Sequence, residues 1–235
     1  YKADEKFYTS SKVHYGTRII FDEKNYLYFS IGDRGKRKEA QSLTTPNGKI
    51  HRLNDDGSIP EDNPFVNQKG AVKSIWTYGN RNPQGLAINP KSSIIYETEH
   101  GPKGGDELNI LSKGNNYGWP EITYGKNYTG TKITNYTHKD GMEQPVIHWT
   151  PSIAVCGMDF YDGKVFNNWK NNLLVTSLKF ENLYRLEIKN EKVIKQELLL
   201  SAGSRVRDVE TGPDGFIYLA VEDPGRIIRL RPHKK

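Results

Sequence analysis

Four times along the chain an apolar, strand-like run is followed by a turn rich in Asp, Asn, Pro or Gly and then by a second apolar or aromatic run. The four stretches are TRIIFDEKNYLYFSIGD, QGLAINPKSSIIYETEHG, GMDFYDGKVFNNWKNNLLVTSLK and RDVETGPDGFIYLAVED, beginning at Thr17, Gln84, Gly157 and Arg207, which lie 67, 73 and 50 residues apart. Short runs closed by turn residues read as paired strands, and no long helical periodicity competes with them. A lone hairpin leaves open edges and an uncovered apolar face, whereas units packed around a common axis bury both. The pattern therefore predicts an all-β chain of about four β-propeller blades carrying long inserted loops. KIHRLN, ENLYRLEI and RIIRLRP read as further blade strands, the polar segment from Lys126 to Glu143 as a long loop, and no interdomain linker is visible.

Composition agrees. Hydrophobic residues make up only 35%, but 14 Tyr, 8 Phe and 4 Trp supply bulky core material, and 22 Gly with 12 Pro supply turns. The net charge of +6 is scattered, and its densest basic stretch is GDRGKRK at residues 32–38. With no basic helix and no interleaved basic and aromatic residues, no nucleic-acid partner is expected. The single cysteine, Cys156, excludes an internal disulfide and sits in the apolar run IAVCGM, where a core position is expected. No run approaches the roughly 18 apolar residues of a membrane span.

The polar residues at the strand ends carry the functional argument. In GNRNPQGLAIN (79–89), Gly79, Pro83 and Gly85 stiffen the connection, but a turn has no need of Arg81, Asn82 and Gln84. His14 and Arg18 precede the first hairpin, EHGPKGGDE follows the second, Trp149 and Lys179 flank the third, and Arg205 and Arg207 alternate before the fourth. Alternation puts Arg205 and Arg207 on one face of an extended strand. Singly, a His, Arg or Lys is usually structural or solvated. Gathered at one mouth of a propeller, the cations and amides suit a small, multiply anionic ligand, and His14 supplies a base. Gly101 and Pro102 can turn carbonyls outward, with Asp106 and Glu107 nearby, which is hard-cation chemistry; a plain polar turn reads equally well there.

The motifs HYGTRIIF, LYFSIGDRG, GKIHRLNDDGSIPEDNPF, YGNRNPQGLAINP, ETEHGPKGGDELNIL, GNNYGWP, the VTSLK strand and SRVRDVETGPDG, in this order, resemble the soluble quinoprotein glucose dehydrogenases, most closely their aldose sugar dehydrogenase branch. The resemblance covers essentially the whole chain. It implies a six-bladed propeller that binds pyrroloquinoline quinone (PQQ) and calcium and oxidises aldose sugars at the anomeric carbon to lactones. It implies His14 as the general base and Arg81 beside the reactive quinone carbonyl. Asn82, Lys179, Arg205, Arg207 and Trp149 would line the cofactor pocket, with Trp149 at its mouth. Gly101 and Pro102 would hold the calcium that touches the quinone, and Glu107 and Tyr117 a second calcium.

Against that family only 13 residues precede His14, so residues 1–235 are expected to be the C-terminal part of one propeller domain, lacking about two blades. An open ring of this kind is expected to be poorly stable and inactive alone. HWTPSIAVCG matches the family loosely. Two other readings stay open: a propeller that only binds a partner, and a calcium-dependent, lactonase-like propeller hydrolase. Analogy implies a periplasmic or secreted location and an aldose substrate. The preferred sugar and the electron acceptor are left open, and a homodimer is allowed.

Overall fold

The computed structural model describes residues 1–233. Its fifteen strands form four antiparallel sheets in chain order. The first contains β1 (Ile19–Phe21), β2 (Leu27–Ile31), β3 (Lys49–Leu53) and β4 (Ile75–Tyr78); the second β5 (Pro83–Ile88), β6 (Ile95–Glu99), β7 (Asp106–Ile110) and β8 (Ile147–Trp149). The third contains β9 (Val155–Phe160), β10 (Leu173–Ser177), β11 (Asn182–Lys189) and β12 (Lys192–Ser201); the fourth β13 (Val206–Thr211), β14 (Ile217–Val221) and β15 (Arg226–Leu230). In every sheet, spatial neighbours are sequence neighbours, so each is a meander.

The four expected hairpins are β1–β2, β5–β6, β9–β10 and β13–β14. Local chemistry explains them. In the β1–β2 turn the Asp22 carboxylate accepts the amides of Lys24 and Tyr26 at 2.9 Å each, and Asn25 adopts φ 62°, a conformation Asn tolerates. KIHRLN, ENLYRLEI and RIIRLRP hold β3, β11 and β15. Between Lys126 and Glu143 there is no strand, only isolated bridges.

Three apolar cores separate the four sheets. Tyr28, Ile50, Leu86 and Ile95 fill the first gap; Tyr96, Leu108, Val155 and Phe160 the second; Leu174, Leu183, Val209 and Leu219 the third. Sheets stacked face to face in this way, with β5 against β9 and β9 against β13 on the inside, are blades of a β-propeller. At the two ends of the row, apolar side chains turned away from these cores meet solvent: Ile19 and Phe21 on β1 are 58% and 56% exposed, and Ile227 on β15 is 72% exposed. Among the described residues no helix is long and apolar enough to cross a membrane.

Candidate active site

The inner strands β1, β5, β9 and β13 begin at the same end of the stack, and the polar residues singled out in the sequence collect there. His14 lies just before β1 with φ 53°. Its Nδ1 is 2.6 Å from Oδ1 of Asp33, whose side chain is fully buried. The Trp119 indole N–H donates to the other Asp33 oxygen at 2.7 Å, and the Gly35 amide donates to Oδ1 at 2.7 Å. Burial works against charge on Asp33, but the His14 ring, the indole and the amide outweigh it and hold the carboxyl below its usual range. Gly32 makes the approach possible: a Cβ there would lie 2.2 Å from the His14 carbonyl oxygen.

The connection 79–89 supplies the next part. Asn82 Oδ1 accepts from the Gly16 amide and from Gln84 Nε2, both at 3.2 Å, tying the β5 entry to the His14 loop. The Asn82 amide lies 3.4 Å from His100 Nδ1. Arg81 is buried, donates to the carbonyls of His100 and Gly101 at 2.9 and 2.8 Å, and places its guanidinium 5.2 Å from the Trp119 ring centre. Its Nε is buried without a partner, a free donor of the kind a bound acceptor satisfies. The amides of Arg81 and Asn82 are both held by the Glu99 carboxylate.

Across the mouth, Lys179 and Arg205 line a cleft of about 480 Å³ with Ser204 and Glu222. Arg205 and Arg207 share one face, as their alternation predicts, because both reach Glu222, at 3.7 and 2.7 Å. This counter-charge was not singled out in the sequence. Arg18 joins the two sides. It donates to the Gln84 carbonyl at 3.1 Å, to Asp208 at 2.7 Å and to the Arg207 carbonyl at 3.3 Å. Gly157, on β9, lies so close that a Cβ would meet Asp208 Oδ1 at 2.1 Å.

A third cluster lies beneath Arg81. Glu99, Gly101, Gly105, Glu107 and Tyr117 line a cavity of about 10 Å³, room for one water-sized species. Burial, and then repulsion from Glu107 and, for Glu99, also from Glu97, push Glu97 and Glu99 well above the usual carboxylate range, and burial raises Glu107 to about 7. One Glu97 oxygen has no partner. Three buried carboxylates, Glu97, Glu99 and Glu107, with the Arg81 guanidinium as the one full cation lining their cavity, leave negative charge that fits a divalent ion. No three acidic, His or Cys side chains among the described residues form a cage unaided, so backbone carbonyls would have to complete it. The Tyr117 hydroxyl donates to Ile110 O at 2.5 Å and accepts the Ser112 amide at 2.9 Å, leaving its backbone as the available ligand. The Gly101 carbonyl faces Arg81, and the Pro102 carbonyl accepts from Ser152 at 3.3 Å.

Trp149 does not join the mouth, a correction to the sequence reading. It stands on β8, the outermost strand of its sheet, packs into the core between the second and third sheets and donates to Gln196 at 3.0 Å. Its apolar bulk is used for packing there. The aromatic ring at the site is Trp119. Asp33 and Trp119 lie within the quoted LYFSIGDRG and GNNYGWP, but no local feature marks them, since their contacts span 19 and 86 residues.

The mouth of this propeller thus brings together a His–Asp couple, several cations and a set of amides. The chain belongs to the glucose/sorbosone dehydrogenase family, whose sequence model matches residues 1–229. It is 45% identical over 223 residues to the aldose sugar dehydrogenase YliI of Escherichia coli, covering 93% of this chain and 60% of the relative. The solved apo-form of the soluble aldose sugar dehydrogenase from Escherichia coli superposes with a TM-score of 0.92 at 42% identity, over 95% of this chain and 66% of that one. The PQQ-bound form of an aldose sugar dehydrogenase from Streptomyces coelicolor superposes with a TM-score of 0.74 at 28% identity, over 92% and 61%. The chain thus spans about three fifths of the length of the curated relatives it matches.

Proposed function

We propose that the protein oxidises aldose sugars at the anomeric carbon to lactones, with His14 as general base, and that residues 1–235 form the C-terminal part of a single propeller domain of a periplasmic or secreted enzyme. Family membership supports the reaction class, and one observation carries the assignment of the base: the 2.6 Å contact between His14 Nδ1 and a buried, ionised Asp33. With Asp33 charged, Nδ1 carries the hydrogen and Nε2 is the free lone pair. Nε2 would take the proton of the anomeric hydroxyl, and Asp33 would stabilise the imidazolium that results. The indole of Trp119 keeps Asp33 from rotating away.

PQQ, when bound, would accept the hydride from the sugar carbon. Arg81, Asn82, Lys179, Arg205 and Arg207 are the residues that would hold it: the unpartnered Arg81 Nε offers a donor, and the Lys179–Arg205 cleft offers positive charge for its carboxylates. Gly101 and Pro102 would hold one calcium, which supplies positive charge beside the cofactor, and Glu107 with the Tyr117 backbone would hold a second. The test is dye-linked oxidation of a panel of aldoses by the full-length protein, with its N-terminal blades, supplied with calcium and PQQ. Activity that disappears in His14→Ala, with cofactor binding retained, is expected; His14→Ala with undiminished turnover would remove His14 from the mechanism.

A further inference from the structure

The loop after β2 carries the densest positive charge of the chain, and the reading above uses none of it. Lys36, Arg37 and Lys38 are exposed. They form one wall of a cleft of about 680 Å³ whose other wall is mainly Pro120, Ile133 and Thr134. Two carboxylates touch the cleft, and both are engaged. Glu39 faces Lys36 at 3.2 Å and accepts from Thr45 and Asn47, while Glu121 pairs with Lys139 at 2.8 Å. Among the described residues no carboxylate lies within ion-pair distance of Arg37 or Lys38. Two uncompensated cations at a concave surface raise the local concentration of anions.

The position of this cleft gives the charge a use. The Arg37 guanidinium sits 5.5 Å from the centre of the Trp119 ring, the same ring that lies 5.2 Å from the Arg81 guanidinium and donates to Asp33. One indole therefore separates the cleft from the candidate active site. An aldose is neutral and gains nothing from two free cations, but its oxidation must deliver electrons to something outside the protein. We propose that the cleft docks a small, multivalent anionic electron acceptor. The proposal rests on the dehydrogenase reading. One aldose gives one lactone, two protons and two electrons, and two one-electron anionic acceptors leave reduced, each with one electron.

The probes are hexacyanoferrate(II) for binding and hexacyanoferrate(III) for turnover. Calorimetric titration of the cofactor-free protein with hexacyanoferrate(II) is expected to show saturable binding that weakens with salt and falls about tenfold in R37Q/K38Q, the low end of electrostatic steering; R37K/K38R, which keeps the charge, is expected to restore it. With hexacyanoferrate(III), kcat/KM for the acceptor is expected to fall by a similar factor in R37Q/K38Q at low ionic strength, with kcat/KM for a cationic phenazine acceptor unchanged. Absence of saturable binding, or equal binding by R37Q/K38Q, overturns the proposal. So does a rise in KM confined to an aldose bearing a carboxylate, which would assign the cleft to substrate. Charge-dependent binding by a full-length protein that oxidises no sugar with the phenazine acceptor would sink the dehydrogenase reading, and the acceptor role with it, while leaving an anion site.

Discussion

Lys49 offers a test that needs no cofactor. Its side chain is fully buried on β3, and its ammonium donates to the carbonyls of Glu39, Ala40 and Asn47 at 2.8, 2.9 and 2.6 Å, closing the loop behind the cationic cleft. Glu39 O also accepts from the Ser42 amide and Ala40 O from the Gly79 amide, but Asn47 O has no other partner among the described residues. Lys49→Met therefore orphans one carbonyl, at about 1–3 kcal/mol, and removes a second bond from two others, at about 0.5–1.5 kcal/mol each. Against this, burial lowers Lys49 from 10.5 to about 7, with Glu39 and Asp33 opposing the fall. That gap corresponds to about 5 kcal/mol. It is an upper bound, because three carbonyls engage all three ammonium hydrogens and favour the charged form.

The sign follows from proton counting. Between pH 7 and 10.5 the unfolded chain keeps a proton that the folded chain releases, so stability rises with pH across this window and the charge-burial cost is complete below it. In the variant that contribution is absent. Denaturant unfolding of wild type and Lys49→Met at matched pH values is expected to show a small difference at pH 7 that widens by about 2–5 kcal/mol in favour of wild type by pH 10. A difference that stays flat or shrinks with pH would refute the reasoning.

Other predictions follow from the site. Asp33→Asn is expected to lower kcat about 10²- to 10⁴-fold with little change in cofactor affinity, because it removes the charge that fixes the His14 tautomer; a pH–rate profile reads this directly, and an unchanged kcat would refute the coupling. Gly32→Ala, whose methyl would overlap the His14 carbonyl, is expected to cost about 1–3 kcal/mol in thermal unfolding and to lower activity further than stability explains. Calcium at 100 times its Kd is expected to stabilise the protein by about 2.7 kcal/mol, and Glu107→Gln to abolish most of that gain; a calcium-independent Tm in wild type would remove the metal from the third cluster.

Much of the fold was legible because hairpins are local: strand alternation and turns such as Asp22–Asn25 declare themselves within a dozen residues. The facing of Arg205 and Arg207 followed from the same period. What escaped is long-range. Trp149 sits in an alternating run that does not say which neighbour its ring meets, and the core between two sheets claims it. Glu222 tempers the cations from a strand end 15 residues beyond Arg207. Nothing local in KIHRLN marks Lys49, and only the loop folded over it reveals three carbonyls aimed at one nitrogen.

The Arg18–Asp208 tie has a consequence for how the molecule is made. Stacked repeats that touch only their neighbours can mature one at a time. Here a guanidinium from the first sheet closes on a carboxylate 190 residues later while also gripping the second sheet at Gln84. During synthesis the His14 loop can be held by Asp33 and Asn82, but Arg18 waits for its carboxylate until β13 emerges. Long sequence separation slows that closure, and the waiting, half-stacked chain is the species on which chaperones and proteases would act.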